Sequence, residues 1–332
     1  MTSRREFLTR CGVAVGGALS LNRVAAAAHF TFISRPADMN GFKVSVLTDE
    51  ISQDFGHACE IAAREFGLGW VELRAMHNKN VMSWDAHDIA EVKSVLDKYK
   101  LRVSEIASPI FKTDWPGAPK SQYSPKNPQF GADFTYEQQD ELIDRAVELA
   151  KKLETQYIRI FDFWRLEDQS KYRAAMDDRV RQAAIAVGKK GITFTLENET
   201  NCNTATGVEA ARLVGAIKER SLMLNWDPGN ATARGEKAFP DGYSKIPKDR
   251  IAHVHCKDVV ALGKTDWAPM GKGIIDYVGQ FRALRKDGYT GALSLETHWR
   301  LKGGTPEEST RQSMAGMKDL LRRAESSSSA AL

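Results

Sequence analysis

The chain has 332 residues, 42% hydrophobic and 27% charged, with a formal net charge of +4; this allows one large domain or two ordinary ones and excludes a disordered or collagen-like composition. Its four cysteines lack CxxC spacing, which argues against a disulfide framework or a zinc knuckle. The first 28 residues hold Arg4, Arg5, Arg10 and Arg23 against one acid, Glu6, so the remainder is nearly neutral and lacks the cationic stripe that nucleic-acid binding needs.

Residues 1–28, MTSRREFLTRCGVAVGGALSLNRVAAAA, combine paired arginines, Phe7 and Leu8, an apolar run from Gly12 to Leu19 and small residues at Ala25 to Ala28. This reads as a twin-arginine signal peptide, engaging that export machinery and delivering a periplasmic or secreted protein. The apolar run is too short and glycine-rich for a permanent membrane span. Substrates of this route travel folded, so a metal can be loaded before export. Residues 29–41 form a lead-in.

From residue 42 onward, β-rich runs alternate with helical patterns. The runs are FKVSVLT (42–48), GWVELRA (69–75), LRVSEIA (101–107), QYIRIFDF (156–163), ITFTLEN (192–198), LMLNWD (222–227), IAHVHCK (251–257) and ALSLETH (292–298). Amphipathic segments such as DIAEVKSVLDKYK, YEQQDELIDRAVELAKKLE and IDYVGQFRALRKDG lie between them. Eight such alternations predict a single-domain (β/α)8 TIM barrel over residues 42–322, followed by a disordered tail at 323–332. No GxGxxG follows the first run, which disfavours an open dinucleotide-binding sheet. The long connections 108–134 and 228–250 follow the third and sixth runs, on the face where barrels carry catalysis, and are candidate pocket walls.

Strand alternation orients the polar residues. Leu222, Leu224 and Trp226 oppose Asn225 and Asp227; Ala252 and Val254 oppose His253 and His255; Leu293 and Leu295 oppose Ser294 and Glu296. If the apolar faces cover helices, Glu197, Asp227, His255 and Glu296 enter the barrel at the carboxyl ends of four successive strands. Three converging carboxylates need a compensating cation. Three oxygens and one imidazole suit one divalent ion, manganese first, with magnesium or cobalt as alternatives. His253, one inward step deeper, is expected to be hydrogen-bonded, either behind the metal ligands or in the core. Lys257 is expected at the rim, within reach of substrate.

LENE at 196, NWDPGN at 225, HVHCKD at 253, GKGIIDY at 271 and SLETH at 294 together resemble the sugar phosphate isomerase/epimerase superfamily with the xylose isomerase-like TIM barrel. The resemblance covers roughly residues 42–322. It implies that Glu197, Asp227, His255 and Glu296 bind one divalent metal. It also implies that Glu197 and Glu296 are catalytic, moving a proton next to a carbonyl through a metal-stabilised enediolate. With no clear phosphate cradle and an export signal, an unphosphorylated sugar or ketosugar is the expected substrate, and a homo-oligomer is a possible assembly. A lyase or dehydratase acting by β-elimination on an oxidised sugar or glycoside is the alternative, since the same frame serves both. Two positions depart from the superfamily pattern: Asn230 and Glu199 stand where many members have histidine. Asn230, Glu199, Lys257, Glu72 and Lys272 are the substrate-binding candidates, Lys272 because flanking glycines permit close backbone approach. Asp162, Arg165 and His298 are further inward or rim positions.

Overall fold

The computed structural model describes residues 38–126 and 134–326. The signal segment expected at 1–28 lies outside the described residues, as do most of the lead-in and the end of the tail. Eight strands build one sheet: β1 (Lys43–Val46), β2 (Trp70–Leu73), β3 (Arg102–Ile110), β4 (Tyr157–Ile160), β5 (Thr193–Glu197), β6 (Leu222–Trp226), β7 (Ile251–Cys256) and β8 (Ala292–Leu295). Their spatial order is β1-β8-β7-β6-β5-β4-β3-β2, with every pair parallel. A parallel bridge between Leu47 and Glu72 joins the two ends, so the sheet closes into a TIM barrel.

Period-two sequence makes this closure possible. Val71, Leu73, Ile158, Ile160, Phe194, Leu196, Leu293 and Leu295 are all buried in the hydrophobic core. The outward direction is explicit at Trp226, whose Nε1 donates to Gln280 on the helix Tyr277–Lys286. Helices on the other connections are similarly specified: Asp85, Thr206 and Thr305 each form a capping box at a helix start.

Two sequence boundaries move. β3 continues to Ile110, so residues 108–110 belong to the strand rather than to the connection expected at 108–134. The last helix, Pro306–Glu325, runs three residues past the expected barrel end at 322. The connection 228–250 is substantially helical: Pro228–Ala233, with Asp227 as its N-cap, is followed by further short turns. Two small hairpins, Ala75–Met76 with Lys79–Asn80 and Asp258–Val259 with Trp267–Ala268, extend beyond the ends of β2 and β7. Among the described residues no helix is long and apolar enough to cross a membrane, and Cys59, Cys202 and Cys256 are buried free thiols.

Candidate active site

Glu197 ends β5, Asp227 and Glu296 directly follow β6 and β8, and His255 is the penultimate residue of β7; one ligand atom from each lies within 4.8 Å of the others. All four are buried. His255 Nδ1 is 3.3 Å from Glu197 Oε1, 3.4 Å from Glu296 Oε2 and 3.9 Å from Asp227 Oδ2. Its Nε2 is hydrogen-bonded by Glu72, at 3.0 and 3.1 Å from the two carboxylate oxygens, which leaves Nδ1 facing the other three acids. Asp227 is held from below, because its Oδ1 accepts the Asn230 backbone N–H at 2.8 Å at the start of the helix that Pro228 initiates.

The donor set fits a divalent cation. Glu197 Oε2, Asp227 Oδ2 and His255 Nδ1 are buried and make no properly directed hydrogen bond, a state that costs free energy unless a positive charge answers it. Three carboxylates and one imidazole match manganese, magnesium or zinc better than a sulfur-seeking ion. The protein supplies part of the compensation itself. Lys257 Nζ stands 2.5 Å from Glu296 Oε2 and 2.9 Å from Asp227 Oδ2, Arg159 Nη1 is 3.1 Å from Glu197 Oε2, and Arg74 Nη1 is 3.1 Å from Glu296 Oε1.

Charge and burial oppose one another at each group. Burial raises Glu197, but His255 and Arg159 outweigh it and hold the carboxyl below its ordinary range. Glu296 is likewise held well down, by His298, Lys257 and His255 against the effect of burial. Asp227 goes the other way: burial, together with Glu197 and Glu296, pushes it up to about 7 despite Lys257. Two acids are thus kept charged and the third is set near neutrality.

The substrate-binding candidates separate. Lys257 is only 2% exposed, so it is not the rim lysine expected from sequence. Gly229 leaves room for its stem, since a Cβ there would lie 2.5 Å from Lys257 Cγ, and the Trp267 ring lies 5.1 Å from its ammonium. Glu72 is fully buried beneath His255, positioned to orient that imidazole rather than to meet a substrate. Asn230 Nδ2 donates to Glu197 Oε1 at 3.0 Å and so also touches a candidate ligand. Glu199 pairs with Lys112 at 3.0 Å beside the cluster. Lys272 is exposed; the glycines flanking it turn their N–H groups, with that of Ile275, onto the buried Asp258 carboxylate.

The remaining polar positions have structural partners. Asp162 is bound by Arg173 and Thr204, and Arg165 forks onto Glu209. His298 Nδ1 is 3.1 Å from Glu50. His253 is buried with neither ring nitrogen hydrogen-bonded, against the expectation of a hydrogen-bonded histidine; its nearest carboxylates, Glu105 and Glu72, stand 3.7 and 3.9 Å away.

Arg74 and Arg159 escaped the sequence reading, although the alternation in WVELR and YIRIF turns both inward with Glu72 and against Ile158 and Ile160. They also line a cavity of about 450 Å³, whose remaining wall includes Lys112, Trp115, Phe134, Tyr136 and Trp164. Most of this wall comes from the segment after β3, one of the two connections expected to form a pocket.

With the barrel and this cluster in place, the comparison with known proteins is direct: residues 61–320 match the family model described as xylose isomerase-like TIM barrel, and the chain belongs to that family. It is similar to the Escherichia coli (strain K12) protein named "Putative L-ribulose-5-phosphate 3-epimerase", with 25% identity over 183 residues covering 50% of this chain. The match spans 59% of that relative's length. A xylose isomerase-like TIM barrel protein from Mycobacterium smegmatis, solved in complex with magnesium, superposes with a TM-score of 0.63 at 15% identity, covering 87% of this chain and 99% of the other. D-allulose 3-epimerase from Methylomonas sp., solved with D-allulose, gives a TM-score of 0.60 at 16% identity and covers 87% and 98%. These structural likenesses establish the shared fold.

Proposed function

We propose that the protein is a divalent-metal-dependent sugar isomerase or epimerase that moves a proton next to a carbonyl, with an unphosphorylated sugar or ketosugar as substrate. One observation carries the reading: three carboxylates and one imidazole nitrogen converge within 4.8 Å beside a cavity of about 450 Å³. Glu197, Asp227, His255 and Glu296 would hold the ion. When bound, it supplies a positive charge that polarises a substrate carbonyl and makes the adjacent carbon more acidic. The family membership and the epimerase named among its relatives support the reaction class.

The chain's own residues divide the remaining work. Glu197 and Glu296 remain charged and lie on different strands, so one can take a proton from the substrate carbon while the other returns it. Arg159 and Arg74 each grip one of these glutamates and fix its orientation. Coordination lowers a carboxylate's basicity, and these arginine contacts lower it further, so proton abstraction requires the substrate carbon to be acidified. Manganese is the preferred ion in this reading, and the paired Arg4 and Arg5 support twin-arginine export as part of it.

Metal-loaded mature protein incubated in D2O with a panel of sugars and ketosugars is expected to place deuterium at a single carbon. Glu296→Gln should retain the fold and lose exchange by at least about a hundredfold. Normal exchange by that variant removes Glu296 from the chemistry; an unsaturated product in place of a stereoisomer identifies elimination instead.

A further inference from the structure

We propose that the ligand is an uncharged glycoside of at least two rings, one reacting at the acidic cluster and the next lying against an aromatic wall. This deepens the sugar-directed reading above and rests on it. The cavity that shares Arg74 and Arg159 with the cluster continues to Trp115, Phe134, Tyr136 and Trp164. The aromatic wall belongs to the segments following β3 and β4, away from the β8 segment that carries Glu296.

Three features select the ligand class. First, among the described residues the cations lining the cavity have carboxylate partners: Arg74 with Glu296, Arg159 with Glu197 and Lys112 with Glu199 at 3.0 to 3.1 Å, and the exposed Lys120 with Asp114 at 3.9 Å. A phosphate or carboxylate ligand would have to compete for each of them, whereas hydroxyl groups can use the donors and acceptors that remain. Second, Trp115, Phe134 and Tyr136 are each partly exposed where they line the cavity, and aromatic rings suit the C–H face of a sugar ring. Third, the wall is braced. Trp115 packs at 78° against both Phe163 and Tyr136, with centroids 4.8 and 5.6 Å away, and Trp164 is 5% exposed. A braced aromatic surface binds without first paying to become ordered. A single ring seated at the acids would leave this wall uncovered.

The test measures binding and needs no turnover. Metal-loaded protein, and the same protein after chelation, are titrated with glucose, cellobiose, maltose and trehalose while tryptophan fluorescence and calorimetric heat are followed. At least one disaccharide should bind ten times more tightly than glucose, with or without metal. Trp115→Ala should abolish that preference, and Trp115→Phe should largely keep it, which separates a lost ring surface from a collapsed loop. Equal affinities for glucose and all three disaccharides overturn the proposal, as does a disaccharide preference that survives in folded Trp115→Ala. If a Trp115-dependent preference appears without deuterium exchange, the cleft stands and the proposed reaction falls. Exchange on monosaccharides with no gain for disaccharides leaves the reaction standing and removes the extended cleft.

Discussion

Lys257 is the side chain whose sequence reading and position differ most usefully. Two residues after His255, it follows the strand rule inward, yet its length carries the ammonium back among Asp227 and Glu296 instead of outward to solvent. Strand parity gives direction but not how far a flexible side chain reaches, so its burial was not legible. A buried ammonium among buried carboxylates compensates charge that would otherwise be very costly. Lys257→Met should therefore destabilise the metal-stripped protein by about 3 kcal/mol, seen as a lower thermal midpoint. Added Mn2+ should raise that midpoint more in the variant than in the wild type. An unchanged midpoint in the stripped variant would show that the ammonium contributes no net stabilisation. The quartet itself was legible because each member lies at or just past the carboxyl end of a strand with clean alternation. Arg74 and Arg159 obey the same rule, but Arg74 reaches Glu296 across 222 positions of sequence, a partnership no local pattern displays.

Among the structural elements, the segment GKG has glycines with a structural purpose that the sequence did not display. Flanking glycines suggested that Lys272 approaches a ligand, but the ligand-like group is the protein's own Asp258. That carboxylate accepts backbone N–H bonds from Gly271 and Gly273 at 3.1 and 3.0 Å, and a Cβ on Gly273 would collide with Asp258 and the Val259 carbonyl. The cradle secures the end of β7 and the hairpin that brings Trp267 over Lys257. Gly273→Ala should thus cost about 2 kcal/mol in denaturant unfolding, while Lys272→Ala should stay within about 0.5 kcal/mol and leave exchange kinetics unchanged. A marked loss of exchange in Lys272→Ala would return that residue to the site. The end of β3 was obscured for a related reason. Ser108 and Pro109 carry loop character, but the β3–β4 register is irregular between Ile106 and Ile110, where a missing proline N–H is tolerated.

For the whole molecule, the eight-fold alternation was enough to read the barrel, because a closed parallel sheet must bury one side of every strand against helices. What alternation hides is the charge balance inside. A second buried group, Glu72, Glu105 and His253, adjoins the cluster through His255, and burial lowers His253 from an ordinary 6.5 to about 4, even with Glu72 nearby. The folded protein therefore keeps His253 neutral through a range in which the unfolded chain takes up a proton. Its contribution to stability is complete above about pH 6.5 and declines as pH falls toward 4. His253→Gln should lose less stability than the wild type between these values, whatever its starting stability, when unfolding is measured across pH. An equal loss would mean that other groups carry the acid sensitivity.

The most direct examination is titration of carefully metal-stripped protein with Mn2+ by calorimetry, with ion content checked after desalting. One ion per chain is expected in the wild type, and Asp227→Asn and His255→Gln should each weaken or abolish uptake while remaining folded. A wild-type protein that takes up no divalent ion, or variants that bind it as tightly as the wild type, would contradict a metal centre formed by Glu197, Asp227, His255 and Glu296.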